Sequence, residues 1–83
     1  MYKKWRFSLE IQLGKMSINQ SGIVSRIEDN GEISRRIRDM GIYRGVSVKV
    51  IGQAPLRDPI AVKVNGSVIS LRQKEANYIF IKS

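Results

Sequence analysis

Eighty-three residues and 9.5 kDa hold one small domain, and a chain of that size buries roughly 60–65% of its unfolded surface. With 42% apolar and 27% charged residues, wholesale disorder is excluded, and no apolar run approaches the ~20 residues of a membrane span. A net charge of +8 and a pI near 10.3 favour an acidic partner, nucleic acid or an anionic membrane surface.

The opening residues Met1-Tyr2-Lys3-Lys4-Trp5-Arg6 are basic, but no apolar stretch with a small-residue cleavage site follows, so no secretory leader is expected and a cytoplasmic location is. Trp5, Phe7, Leu9, Ile11 and Leu13 alternate with polar residues over 5–13, the period of a half-buried strand. Trp5, Leu9 and Leu13 also satisfy a helical spacing, so the pattern admits both. Gly14 and the polar stretch Ser17–Gly22 break this segment, and Ile23 to Ile27 forms a short second strand.

A helix is expected over residues 31–40, where Ile33, Ile37 and Met40 make one apolar stripe. Asp29 followed by Glu32 resembles a capping box. Gly41 suits the left-handed stop, with Ile37 and Ile42 as the touching pair of a Schellman motif. Glu32 and Arg36 have the favourable i, i+4 order, and Arg35, Arg36 and Arg38 line the exposed side.

The second half reads as β structure. Val46, Val48 and Val50 alternate with Ser47, Lys49 and Ile51, whereas the two prolines of Gln53–Pro59 exclude a central strand there. Asn65-Gly66 between two β-rich runs predicts a type I′ hairpin that pairs Val64 with Ser67, Val62 with Ile69 and Ile60 with Leu71. Ile60, Val62, Ile69 and Leu71 then share one face and Lys63 takes the other. One helical turn over Gln73–Asn77 and a closing strand over Tyr78–Lys82 complete the chain. The expected fold is mainly β: a small, strongly bent barrel of five or six short strands with one helix, closed so that no sheet edge is exposed.

The residues set limits on function. Without Cys or His there is no disulfide framework, no thiolate or imidazole metal site, and neither a cysteine nucleophile nor the commonest acid–base group. Three Asp and four Glu are scattered along the chain, so neither a metal site nor a catalytic site is assigned, and no cofactor. The positive charge is spread over the chain with no dominant block, unlike a nucleic-acid arm. Gly41 and Gly45 serve the backbone, but Tyr43 and Arg44 between them are candidates for partner contact, since Tyr and Arg are enriched at hot spots. Leu56, at the tip of the proline loop, either folds back onto the core or projects as an apolar anchor; Arg57 beside it is a further candidate for partner contact, and it and Asp58 are also placed to pair on the surface. Arg35 and Arg36 are candidates for steering an acidic partner.

Four stretches resemble a known family: Gly22-Ile23-Val24; Arg36 through Gly45 with its Met-Gly-Ile-x-x-Gly core; Ala54 through Ile60; and Ser70-Leu71-Arg72 with Glu75-Ala76. In this order and spacing they are similar to FeoA, the accessory proteins of bacterial ferrous-iron transport, over about residues 16–81. The resemblance implies an SH3-like β-barrel, a cytoplasmic location and a partner, the membrane GTPase and ferrous-iron transporter FeoB. The C-terminal domain of iron- and manganese-dependent repressors shares the pattern more loosely. Residues 1–15, with Trp5 and Phe7, form an extension outside the resemblance, with no family role.

The leading expectation is therefore a non-enzymatic interaction module that docks on FeoB, with a regulatory effect on iron transport and no direct high-affinity Fe²⁺ site. The alternative is a nucleic-acid-binding barrel, with Trp5, Tyr43, Tyr78 and Phe80 as stacking surfaces. A detached sensing domain of the repressor type is disfavoured, because no helix-turn-helix accompanies it.

Overall fold

Within the described residues the order of elements is β1 (Glu10–Gln12), β2 (Ser21–Ile27), α1 (Gly31–Asp39), β3 (Ser47–Gln53), β4 (Ile60–Val64), β5 (Ser67–Leu71), α2 (Gln73–Ala76) and β6 (Ile79–Lys82). The computed structural model describes residues 10–28 and 30–82; the expectations for Trp5, Phe7 and the Asp29 cap lie outside the described residues. All six strands join one antiparallel sheet in the order β1-β6-β2-β3-β4-β5.

Local sequence explains the most regular pieces. The hairpin forms in the expected register, Val64 opposite Ser67, Val62 opposite Ile69 and Ile60 opposite Leu71. Asn65 and Gly66 take φ of 50° and 81°, the two left-handed positions that a type I′ turn needs. Helix α1 stops as a Schellman motif: Gly41 has φ 95°, its N–H donates to Arg38 O at 2.9 Å, and the Ile42 N–H donates to Ile37 O at 3.3 Å. Ile37 and Ile42 are both fully buried, so the stop also sets two core residues.

The core is built from inward-facing strand residues, among them Val24, Val48, Val50, Val62, Ile79 and Ile81, together with Ile37 and Ile42. Leu13, which opens a 3-10 turn over Leu13–Lys15, and Met16, which follows that turn, are buried in the same core. Thus the first strand ends at Gln12, earlier than alternation to residue 13 implied, because Leu13 reaches the core by turning. Ser21 and Gly22 belong to β2 and not to the preceding break. Strand β3 runs on through Ile51 to Gln53, past the Val46–Val50 alternation.

Closure is where expectation and structure part. Among the described residues the end strands β1 and β5 are not paired with each other, so the sheet is not closed. Helix α2, which follows β5, instead packs on the 3-10 turn that follows β1, and Gln73 Nε2 donates to Gly14 O at 3.0 Å. Side chains and one helical turn bridge the gap that a hydrogen-bond ladder would have sealed, which among the described residues leaves strand edges at both ends.

Candidate interaction surface

The loop between β3 and β4 holds the residue that the sequence left undecided. Leu56 projects: it is 96% exposed, at φ 65° and ψ 15°, and Arg57 follows at φ 62°. Two successive non-glycine residues in the left-handed region are unusual and costly, so the surrounding bonds must hold them. Those bonds are present. The Ala54 N–H donates to Pro59 O at 3.0 Å and the Arg57 N–H to Ala54 O at 2.8 Å, which draws the loop shut. Arg57 Nη2 and Gln53 Nε2 both donate to Met16 O, at 2.9 and 3.0 Å. Asp58 Oδ1 accepts from the Gln73 N–H at 3.0 Å, at the start of α2.

The expected Arg57–Asp58 surface pair is therefore not formed. Each side chain instead ties the loop to a different neighbour, since an orphan carbonyl and an orphan N–H offer better geometry than an adjacent exposed charge. The result is a pinned loop that presents one apolar side chain to solvent.

Arg36 also departs from expectation. It does not pair with Glu32; its Nη1 lies 3.0 Å from Glu75 Oε2, with the Glu75 side chain 4% and the Arg36 side chain 55% exposed. Glu75 Oε1 accepts from the Arg72 N–H at 2.9 Å, so the carboxylate closes α2 at its start and binds it to α1. A buried carboxylate attracts a cation more strongly than a solvated Glu32 does. Arg35 stays exposed and is the better candidate for steering.

Tyr43 is 51% exposed and Arg44 is exposed, in a turn where the Val46 N–H donates to Tyr43 O at 3.1 Å. Gly45, at φ 93°, donates its N–H to Val24 O at 2.8 Å. The candidates thus fall into two groups. Leu56, Arg57 and Arg36 belong to elements anchored on α2, whereas Tyr43 and Arg44 are anchored on β2. Sequence reasoning missed Gln73 and Glu75, whose partners are 15 and 39 residues away; the one local signal was Glu75 at the third position of α2.

Of the aromatic side chains named for base stacking, Trp5 lies outside the described residues and two of the others are engaged within the fold. Phe80 is covered by the Arg26 guanidinium, 3.9 Å from the ring centroid, and Tyr78 accepts at its hydroxyl from Asn30 Nδ2 at 3.0 Å. Glu10 holds its proton less tightly than an ordinary carboxyl, first because the Ser25 hydroxyl donates to it at 2.6 Å and then because Arg26 lies 3.3 Å away. Among the described residues no three Asp or Glu gather closely enough to hold a metal ion, and no helix is long and apolar enough to cross a membrane.

Against known proteins, the chain matches the FeoA domain over residues 11–83. It is 36% identical to a FeoA-like protein from Clostridium acetobutylicum, with a TM-score of 0.84 over 92% of this chain and 88% of that one. It is 26% identical to Stenotrophomonas maltophilia FeoA, a procaryotic SH3 domain protein solved in complex with zinc, with a TM-score of 0.76 over 87% and 89% of the two chains. It is also 29% identical over 72 residues to an Fe(2+) transport protein A/Fe(2+) transporter FeoB fusion protein from Porphyromonas gingivalis. That stretch is 87% of this chain but only 8% of the fusion.

Proposed function

This chain belongs to the FeoA family of ferrous-iron transport accessory domains, and from that premise we propose that it acts in the cytoplasm by docking on the cytoplasmic portion of FeoB and modulating its GTPase and transport cycle. The observation that carries the reading is the Porphyromonas gingivalis fusion, in which a related domain shares one chain with the transporter. Joining two modules raises their effective concentration to the millimolar range, which is useful where they must engage each other.

The surface described above fits a docking role. Leu56 is already held in its projecting conformation, so little ordering cost remains when a partner pocket receives it. Burial of such a side chain contributes about 1.5–3 kcal/mol. Arg35 and Arg44 add exposed positive charge that speeds encounter with an acidic surface, and Tyr43 adds a second contact. Iron is the transporter's cargo in this reading; the domain neither carries it nor performs chemistry on it.

The test is a titration of the purified chain against the cytoplasmic portion of its FeoB, with a generic RNA as control. Saturable binding to the protein, weakened by Tyr43→Ala without loss of thermal stability, is the expected result. Binding to RNA with steep salt dependence, and none to the transporter, would replace this reading with that of a nucleic-acid-binding barrel.

A further inference from the structure

The outward face of the sheet carries a feature that docking through the Leu56 loop does not use. Lys49 on β3 lies directly opposite Lys63 on β4, and Lys63 lies opposite Val68 on β5. Two strands away Lys82 on β6 lies opposite Ile23 on β2. All three lysines are exposed. Between and beside them stand Ile23, Ile51 and Val68, at 39%, 38% and 63% exposure. Ile51 follows Lys49 by two residues, at the bulge between Val50 and Gly52, and its exposure places it on the solvent side of β3 with Lys49.

This arrangement opposes the fold's own stability. Like charges directly opposite each other on neighbouring strands are destabilising, and among the described residues no carboxylate forms an ion pair with Lys49 or Lys63. Lys82 does have a carboxylate directly opposite it, Glu10 on β1, whose oxygens bond the Ser25 hydroxyl and the Arg26 guanidinium. Three branched aliphatic side chains interleaved with these lysines make a surface with both an electrostatic and an apolar demand.

We propose that this face of β2, β3, β4 and β5, with Lys82 at its border, rests on an anionic phospholipid surface. The lysine ammonium groups meet the lipid phosphates while Ile23, Ile51 and Val68 enter the headgroup boundary, where aliphatic groups partition favourably. Nucleic acid supplies the same phosphates but rewards flat rings that stack on bases. Ile23, Ile51 and Val68 have none, and the nearby Phe80 ring is covered by Arg26. The charge and the apolar content together therefore select lipid.

The experiment is co-sedimentation of the full chain with phosphatidylcholine vesicles, with and without phosphatidylglycerol. Binding is expected only to the anionic vesicles and is lost at high salt. Each lysine near such a surface contributes about a fivefold gain in partitioning. Lys49→Thr/Lys63→Thr should accordingly weaken binding by about 25-fold, with the thermal midpoint unchanged or raised because the like-charge pair is gone. Val68→Thr, which keeps charge and shape, should weaken binding several-fold at constant salt. Equal binding to both vesicle types, no binding to either, a double variant that binds like the unmodified chain, or tighter binding to single-stranded RNA would each overturn the proposal. A double variant that failed to fold would overturn it too, since it would make the lysines structural. None of the six residues belongs to the FeoB-docking set, so failure here leaves that reading intact.

Discussion

Replacing Leu56 by glycine should make the protein more stable, not less. The side chain is 96% exposed, so its removal uncovers almost no core. What it relieves is the backbone: a leucine at φ 65° and ψ 15° sits in a region that costs an L-residue about 1–2 kcal/mol. Glycine adopts that conformation freely but loses about 0.5–1 kcal/mol more in chain entropy on folding. The difference runs from about zero to a gain of about 1.5 kcal/mol, and its middle, about 0.75 kcal/mol, raises Tm by about 3–6 °C for a domain of this size. Leu56→Asn, which tolerates the left-handed region without glycine's entropy, should rise as well. Calorimetry of the three proteins side by side checks this. A fall of several degrees in both variants would mean that Leu56 packs on its own fold, and would remove it as a projecting anchor.

Other substitutions separate structural arginines and close backbone contacts from surface. Arg36→Ala strands the nearly buried Glu75 carboxylate and should lower stability by about 1–3 kcal/mol, a buried-pair cost reduced because Arg36 is half in solvent. Arg35→Ala should stay within about 0.5 kcal/mol; equal urea midpoints for the two would refute the tie between α1 and α2. Gly22→Ala would place a Cβ 2.5 Å from Ile81 Cγ2 and 2.6 Å from the Lys82 carbonyl oxygen, and because backbone cannot yield cheaply the expected loss is about 1–3 kcal/mol. A melting curve like that of the parent would mean that β2 and β6 are less close. Glu10 gives the acid dependence. Its folded pKa is lowered, first by the Ser25 hydroxyl, so its contribution is present above the ordinary carboxylate range and is lost as pH falls through it. Glu10→Gln should flatten that limb of Tm against pH; an unaltered limb would assign it to other carboxylates.

What the sequence disclosed follows from the range of the interactions. The hairpin was legible because Asn65-Gly66 and the period of Ile60, Val62, Ile69 and Leu71 demand the same register. The helix stop was legible because Gly41 and the Ile37–Ile42 pair fall within six residues. Pairing of β6 with both β1 and β2 links distant segments, and no local pattern states it. Failure of closure was equally hidden, since it depends on where α2 meets the 3-10 turn. The candidate site shows the same division. Exposure of Tyr43 followed from its place between two turn glycines. The projection of Leu56 did not, because nothing in a leucine signals a positive φ; the bonds to Met16 and Gln73 that impose it come from far along the chain. The partner of Arg36 was hidden for the same reason, Glu75 being 39 residues away.

As the proposed anchor for FeoB, Leu56 is put to the test by isothermal titration of the parent chain and Leu56→Asn against the cytoplasmic portion of that transporter. Loss of a buried leucine worth about 1.5–3 kcal/mol predicts an affinity about 10- to 150-fold weaker for a variant whose own fold is at least as stable. Equal affinity for the two proteins, or no binding by the parent, would contradict it.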